Sequence, residues 1–266
     1  MSAPVHRLFV VGGTGFIGQA ICHSALARGW EVLSLSRHGA PTRSTSPSSV
    51  STANTGIQWI KGDALKPETF QEHLVGCTAV VHSVGVLMEN SYKKFINMGC
   101  GGNSNPATAH QQEQEHTITY EMANRDTALS VARAAREVPG VEAFAYISAS
   151  DVLPFLDSRY ISTKRQVEND LIEHSDRMRP IILRPGFIYS QARPITIPIA
   201  AGVRAFNAVF HRTPVGCLLK STPLAKAASP ALCREVVASA VVSAIGNKHI
   251  SGILGIEDIE RIGNRV

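Results

Sequence analysis

The sequence predicts an α/β fold, a doubly wound parallel sheet with a small C-terminal lobe, and three observations predict it. Short apolar runs alternate with longer segments of helical periodicity through the first 190 residues. Those runs are apolar throughout rather than at every second position, as strands covered on both faces require. A glycine-rich turn joins the first run to the first helical segment, so strand, helix and strand follow one another within about 30 residues.

The first strand is the run Leu8-Phe9-Val10-Val11. After the turn at 12–18, a helix is expected to about residue 28, because Ile17, Ile21 and Ala25 recur at the four-residue spacing of a face packed on a sheet. Gly29 supplies its stop. Residues 31–36 read as the second strand. Residues 39–56 turn rich in Ser, Thr and Pro, lose apolar periodicity and read as a surface loop. A third strand at 57–61 ends in Gly62-Asp63, a helix follows at 67–74, and residues 79–83 form an apolar strand with the small-residue exit Ser83-Val84-Gly85.

A second insertion occupies residues 89–117; loops of that length are mostly functional or disordered. The helix at 120–137 carries Ala123, Thr127, Val131 and Ala134 on one face. A strand at 143–148 precedes a helix at 160–174 with Val167 and Leu171 turned inward, and a strand at 181–183 runs into Arg184-Pro185-Gly186. Right-handed crossovers fix the winding of such a series. Beyond it the pattern loosens. Ser229-Pro230 reads as an N-cap followed by proline at the first helical position, opening a helix to about residue 245. Residues 250–256 read as a strand and 257–262 as a last helical turn, and no internal repeat is present.

Composition narrows the function classes. With 44% hydrophobic and 18% charged residues among 266, a sizeable core is expected. The net charge of +5 suits an anionic ligand or surface. The densest basic pairs, Lys93-Lys94 and Lys164-Arg165, are isolated and lack interleaved aromatics, which argues against nucleic acid as a partner. Five scattered cysteines without a CxxC pair indicate a reducing compartment. His110 and His116 have no zinc-type neighbours, so no metal site is expected. The most apolar stretch, 195–210, is cut by Arg204 and cannot span a bilayer. No secretory signal precedes the first strand. Acidic residues are absent before Glu31 while Arg7 and Arg28 are present, the bias that mitochondrial import uses.

The turn Gly12-Gly13-Thr14-Gly15-Phe16-Ile17-Gly18 carries the chemistry. It follows a strand and opens a helix, the Rossmann context in which GxGxxG has meaning. One glycine makes the tight turn, another lets backbone amides approach a pyrophosphate, and the third lets helix and strand pack closely. Free amides and the helix dipole then attract the anion. Gly12, Thr14, Gly15, Phe16, Ile17 and Gly18 are therefore candidate cofactor-binding residues. Arg37 ends the second strand where NAD-selective sites place an acid. A guanidinium there pairs with a 2′-phosphate, which favours NADP(H) over NAD(H). The chain divides into a dinucleotide-binding domain at 1–190 and a C-terminal segment at 191–266 packed on the same domain.

With these residues in place the chain resembles the short-chain dehydrogenase/reductase superfamily, of the extended or atypical kind. In the resemblance, Gly62-Asp63 with Ala64 reaches the adenine ring, and Ser83, Val84 and Gly85 lie under the cofactor ribose. Asn124 falls where these proteins carry a helix asparagine. Tyr160-Ile161-Ser162-Thr163-Lys164 matches the YxxxK signature, and Arg184-Pro185-Gly186 matches the stretch beside the nicotinamide. Positions i and i+4 share a helix face. The resemblance makes Lys164 a ribose ligand whose charge lowers the pKa of Tyr160, the proton donor or acceptor. One departure matters. The hydroxyl residue that orients the substrate oxygen falls on Ala149 in Ile147-Ser148-Ala149-Ser150, and a one-residue shift offers Ser148 or Ser150 instead.

Two mitochondrial groups within the superfamily are most similar, the fungal coenzyme Q biosynthesis accessory proteins and the NADPH-holding accessory subunits of respiratory complex I. The similar stretches include Leu33 to Arg37, Tyr92-Lys93-Lys94, Tyr120 to Asp126, and Thr222-Pro223-Leu224 into the last long helix. The resemblance implies a mitochondrial NADP(H)-binding protein on the matrix side of the inner membrane, supporting coenzyme Q (ubiquinone) biosynthesis as a redox enzyme or as a nucleotide-stabilised component of the biosynthetic complex. Alternatives are an active NAD(P)-dependent reductase, epimerase or dehydratase on another small molecule, in the cytoplasm or elsewhere, and a non-catalytic complex I subunit. Residues 194–219, apolar with interspersed cations, either touch the inner mitochondrial membrane or a partner, or form a buried lobe.

Overall fold

The computed structural model of the protein describes residues 6–41, 56–85, 119, 121–151, 158–190 and 230–265. Seven parallel strands form its sheet. They are β1 (Arg7–Val11), β2 (Glu31–Ser36), β3 (Ile57–Lys61), β4 (Ala79–His82), β5 (Ala143–Ile147), β6 (Arg179–Leu183) and β9 (Gly252–Leu254), in the order β3-β2-β1-β4-β5-β6-β9. The order reverses between β1 and β4, which opens a crevice at their carboxyl ends. A separate two-stranded parallel ribbon pairs β7 (Ile188–Tyr189) with β8 (Leu232–Cys233).

Alternate residues of each strand feed two cores, one per face. Leu8, Val10, Val81 and Ala145 pack with α1 (Phe16–Ala27), α4 (Arg234–Gly246) and α5 (Ile256–Gly263). Phe9, Val11, Val80, Phe144 and Tyr146 pack on the other side with α2 (Thr127–Arg136) and α3 (Ser158–Glu173). Both faces of the sheet are therefore dry, and this is why its strands read as continuous apolar runs. On α1, Ile21 and Ala25 are fully buried and Ile17 packs half-buried against the same core.

Several local expectations need correction. Pro230 does not open the long helix, and the expected cap Ser229 lies outside the described residues. The N–H of Leu232 donates to Phe187 O (2.9 Å), residues 232–233 pair with 188–189, and α4 starts at Arg234 from an extended Cys233. Strand pairing thus overrides a local capping signal. Residues 67–74 form two short 3₁₀ turns rather than one helix. The predicted helix at 120–137 begins as a π-helical turn at Glu121–Asp126 before α2, and Ala135 rather than Ala134 is its last fully buried residue. The last strand is shorter than predicted and joins the main sheet beside β6, while α5 runs for two turns. Most of the two insertions, Tyr92-Lys93-Lys94, His110, His116, Tyr120 and the whole of 194–224 lie outside the described residues.

Arg179 ties the C-terminal elements to the sheet. Its guanidinium donates to the carbonyls of Ala244 (3.0 Å), Ile245 (2.9 Å), Asn247 (3.2 Å) and Ile250, where α4 ends. A cation over those orphan carbonyls satisfies them and matches the helix dipole. Arg179→Ala is expected to cost about 1–3 kcal/mol in a urea unfolding curve; an unchanged midpoint would show that water replaces the guanidinium without loss.

Candidate functional site

The crevice is built first from the β1–α1 turn. The N–H of Gly12 donates to Leu35 O, and its carbonyl accepts the N–H of Gly15, both at 2.9 Å. The turn needs φ of 86° at Gly12, a left-handed value that glycine adopts without strain. A Cβ on Gly18 would stand 2.2 Å from the Gly12 carbonyl oxygen and 2.6 Å from Ser83 Oγ, so only hydrogen fits where α1 crosses the turn. Gly15 caps α1 with no side chain, and its first turn holds no acid. The first amides of α1 therefore have no carbonyl of the helix to donate to and meet the solvent side of the crevice. Thr14 and Gly15 are exposed, and Phe16 and Ile17 half-buried. Such a cradle fits a pyrophosphate.

The loop after β4 is stitched to this turn. Ser83 Oγ donates to Val11 O at 2.8 Å, and Val84 Cγ2 would lie 2.9 Å from a Cβ on Gly12. Gly85 then reaches the far wall, for a Cβ built there would stand 3.0 Å from Asn124 Oδ1 and 3.1 Å from Lys164 Nζ. At the other end of the crevice the Asp63 carboxylate accepts the Leu65 N–H (3.0 Å), Ala64 is buried, and Arg37 is exposed beyond the end of β2. The glycine turn, the segment 83–85, Tyr160 and Lys164 thus form one continuous wall, with Asp63, Ala64 and Arg37 along the same carboxyl edge of the sheet.

Tyr160 and Lys164 share the buried face of α3. Lys164 Nζ donates to Ile147 O at 3.0 Å and stands 4.8 Å from the centre of the Tyr146 ring and 5.9 Å from that of Tyr160. Burial pushes its pKa down to about 7, with Glu168 pulling partly back. Above that pH the ammonium loses its proton, and with it the pull on Tyr160 that a permanent cation would exert. The three serine-loop positions separate. Ala149 packs against Tyr160. Ser148 Oγ donates to Glu168 Oε1 at 2.5 Å, which commits it to an ionic cluster. Ser150 Oγ is buried without a hydrogen-bond partner among the described residues and lines a cavity of about 330 Å³ with Asp151, Arg184 and Glu257.

A scan against family models matches residues 12–214 to one described as NAD(P)H-binding. The chain belongs to the NAD(P)H-binding family. Among curated proteins it is 29% identical to MIOREX complex component 2 of Saccharomyces cerevisiae, across 96% of this chain and 99% of that one. It is 28% identical to a chloroplastic protein of Arabidopsis thaliana, across 96% of this chain and 76% of that one. Among solved structures, a short-chain dehydrogenase/reductase family oxidoreductase from Burkholderia thailandensis superposes with a TM-score of 0.60 at 14% identity, covering 95% of this chain and 91% of that one. The likeness supports the fold, and the family match covers the glycine turn and the segment carrying Tyr160 and Lys164.

Three features of this candidate site are not conspicuous in the sequence. Glu168, only 1% exposed, gathers Ser148, Arg165 and Arg184; its signal was the repeat of the four-residue spacing, Tyr160-Lys164-Glu168. Tyr146 donates its hydroxyl to Asn124 O at 3.0 Å, beneath the π-helical turn. His82, fully buried, has neither ring nitrogen hydrogen-bonded among the described residues, and burial with Lys164 nearby pushes its pKa down to about 3. It is neutral across the physiological range and serves as a wall to the Tyr146 ring, 5.8 Å away.

Proposed function

We propose that this protein is a mitochondrial NADP(H)-binding component of a coenzyme Q biosynthetic assembly, in which the dinucleotide is held as part of the structure rather than turned over. The observation that carries the second half is the fate of the serine loop: Ala149 faces Tyr160, while Ser148 is committed to Glu168. A bound dinucleotide supplies hydride chemistry, but a carbonyl beside Tyr160 would find no hydroxyl from Ser148 to orient it. What remains is binding. The glycine cradle takes the pyrophosphate, Lys164 faces the ribose, and Arg37 receives a 2′-phosphate. The full-length likeness to a protein named as a complex component supports an assembly role, and the absence of acidic residues before Glu31 beside Arg7 and Arg28 supports a mitochondrial address.

Deleting the gene and quantifying quinone with its ring intermediates tests the assignment. Quinone is expected to fall, and a variant lacking the Tyr160 hydroxyl, Tyr160→Phe, to restore it. Normal quinone together with no mitochondrial partner on pull-down would discard the reading. One observation favours a second reading, an active reductase: the free Ser150 Oγ and its cavity give a substrate hydroxyl or carbonyl a place to dock. In that case NADPH oxidation appears with a small carbonyl substrate and vanishes in Tyr160→Phe. The holding role instead predicts that Tyr160→Phe keeps the rise in Tm on adding NADPH, roughly 2.7 kcal/mol of stabilisation at 100 times Kd.

A further inference from the structure

One cation of the C-terminal segment sits on the glycine turn. Arg234 opens α4 and Phe16 opens α1, and the Arg234 guanidinium lies over the Phe16 ring, 5.2 Å from its centre. The two helices pack into one core and start at the same edge of the sheet. α1 leaves the carboxyl end of β1, and α4 ends over Arg179, at the amino end of β6. Their positive dipole ends therefore lie side by side. The guanidinium is held in place. Its Nε and Nη2 donate to one oxygen of Glu235, at 3.0 and 2.8 Å, and the other Glu235 oxygen accepts the Cys233 thiol at 2.7 Å. Only 19% of the Arg234 side chain is exposed. Among the described residues its Nη1 has no acceptor, so the edge away from Glu235 is uncommitted.

Phe16 carries the first amide of α1, so a cation on its ring borders the place where the cradle takes an anion. A helix N-terminus supplies roughly half an elementary charge. A pyrophosphate carries more than that, and the first turn of α1 has no cation of its own. A guanidinium makes up the difference through charge-assisted hydrogen bonds. Stacking on an aromatic face leaves its N–H groups in plane and available for them. We infer that Arg234 is a second holder of the dinucleotide: its uncommitted edge takes the pyrophosphate, Phe16 seats the guanidinium and Glu235 fixes its rotation. The site is then shared between the glycine turn and the start of α4, and it is incomplete without the C-terminal segment. This rests on the dinucleotide reading above and deepens it.

The test is calorimetric titration of the full chain with NADPH and with ADP-ribose, beside a thermal melt of each protein without ligand. Arg234→Ala is expected to weaken both ligands alike, about 10-fold, as loss of one charge-assisted contact does. Its gap from the wild type should narrow as salt rises to about 1 M, where the Debye length is about 3 Å. Phe16→Leu keeps the amide and removes the seat, so it should cost a similar factor. The double variant should then lose little more than either single one, because both act through one contact. Arg234→Gln, neutral but of similar length, should match alanine and answers the question if alanine does not fold. Wild-type affinities in Arg234→Ala and Arg234→Gln, with only the ligand-free melt lowered, would reduce the stack to a staple between α1 and α4 and overturn the inference. A loss of equal size at low and high salt, or fully additive losses in the double variant, would overturn it as well. In each of these cases dinucleotide binding itself survives. A wild type that binds neither ligand fails the reading beneath it.

Discussion

Gly18→Ala is expected to weaken dinucleotide binding on the order of 100-fold or more, and to destabilise the fold by about 1–3 kcal/mol. The added methyl has nowhere to go. At 2.2 Å from a backbone oxygen and 2.6 Å from Ser83 Oγ, it pushes α1 off the turn or drives Ser83 off Val11 O. Either movement redirects the first amides of the helix, on which a pyrophosphate depends for its charge-assisted hydrogen bonds. Calorimetric titration with NADPH beside a thermal melt separates the two effects. Gly246→Ala serves as the control, since the Cβ there meets nothing nearer than 3.5 Å, from the Trp30 ring. If Gly18→Ala bound NADPH as the wild type does, the cradle would not be the phosphate site.

What the sequence makes legible is what is local. The glycine turn could be read because its spacing, the strand before it and the helix after it lie within one short stretch, and Tyr160 with Lys164 because four residues return to the same helix face. The order of strands in the first half follows from crossovers whose hand is fixed. Features that depend on distant partners were hidden. Pro230 carries the signal of a helix start, yet residues 232–233 pair with a strand more than forty positions earlier, and pairing wins. Glu168 reads as a polar residue on a helix; only the fold brings Arg184 and Ser148 to it. Lys164 reads as a cation, and its burial above Tyr146, which makes the ammonium labile near neutral pH, comes from α3 lying against β5. The preference of Ser148 for Glu168 matters most for function, because it turns an ambiguous Ser-Ala-Ser motif into three different environments.

That same cluster sets the other large effect. Glu168→Ala is expected to cost about 3–5 kcal/mol at neutral pH, a large share of the roughly 5–15 kcal/mol that holds a domain folded. The carboxylate, 1% exposed, accepts Ser148 Oγ and Arg165 Nη1 at 2.5 Å each and Arg184 Nε at 3.0 Å, with Arg184 Nη2 as a further donor. Its removal leaves two guanidinium groups facing each other over a void and a buried serine without an acceptor. The pH dependence follows from the same contacts. Burial alone would raise the Glu168 pKa, but the hydrogen bonds from Arg184 and Ser148 and the charge of Arg165 outweigh it and hold the group below its ordinary 4.5. A carboxyl whose pKa is lower folded than unfolded adds stability above the unfolded value, and loses it as pH falls through the folded one. Between neutrality and about pH 5 the contribution should stay level, then decay below about 4.5. Glu168→Gln, which keeps the shape without the charge, should fall between alanine and wild type and flatten that acid limb. Urea unfolding of the three proteins from pH 7 down to pH 3 reads both results. A loss below about 1 kcal/mol in Glu168→Ala, or acid limbs of equal slope in all three, would mean that water screens the cluster. Ser148 would then be free to turn toward Tyr160, and the case for a held rather than a reacting dinucleotide would lose its main support.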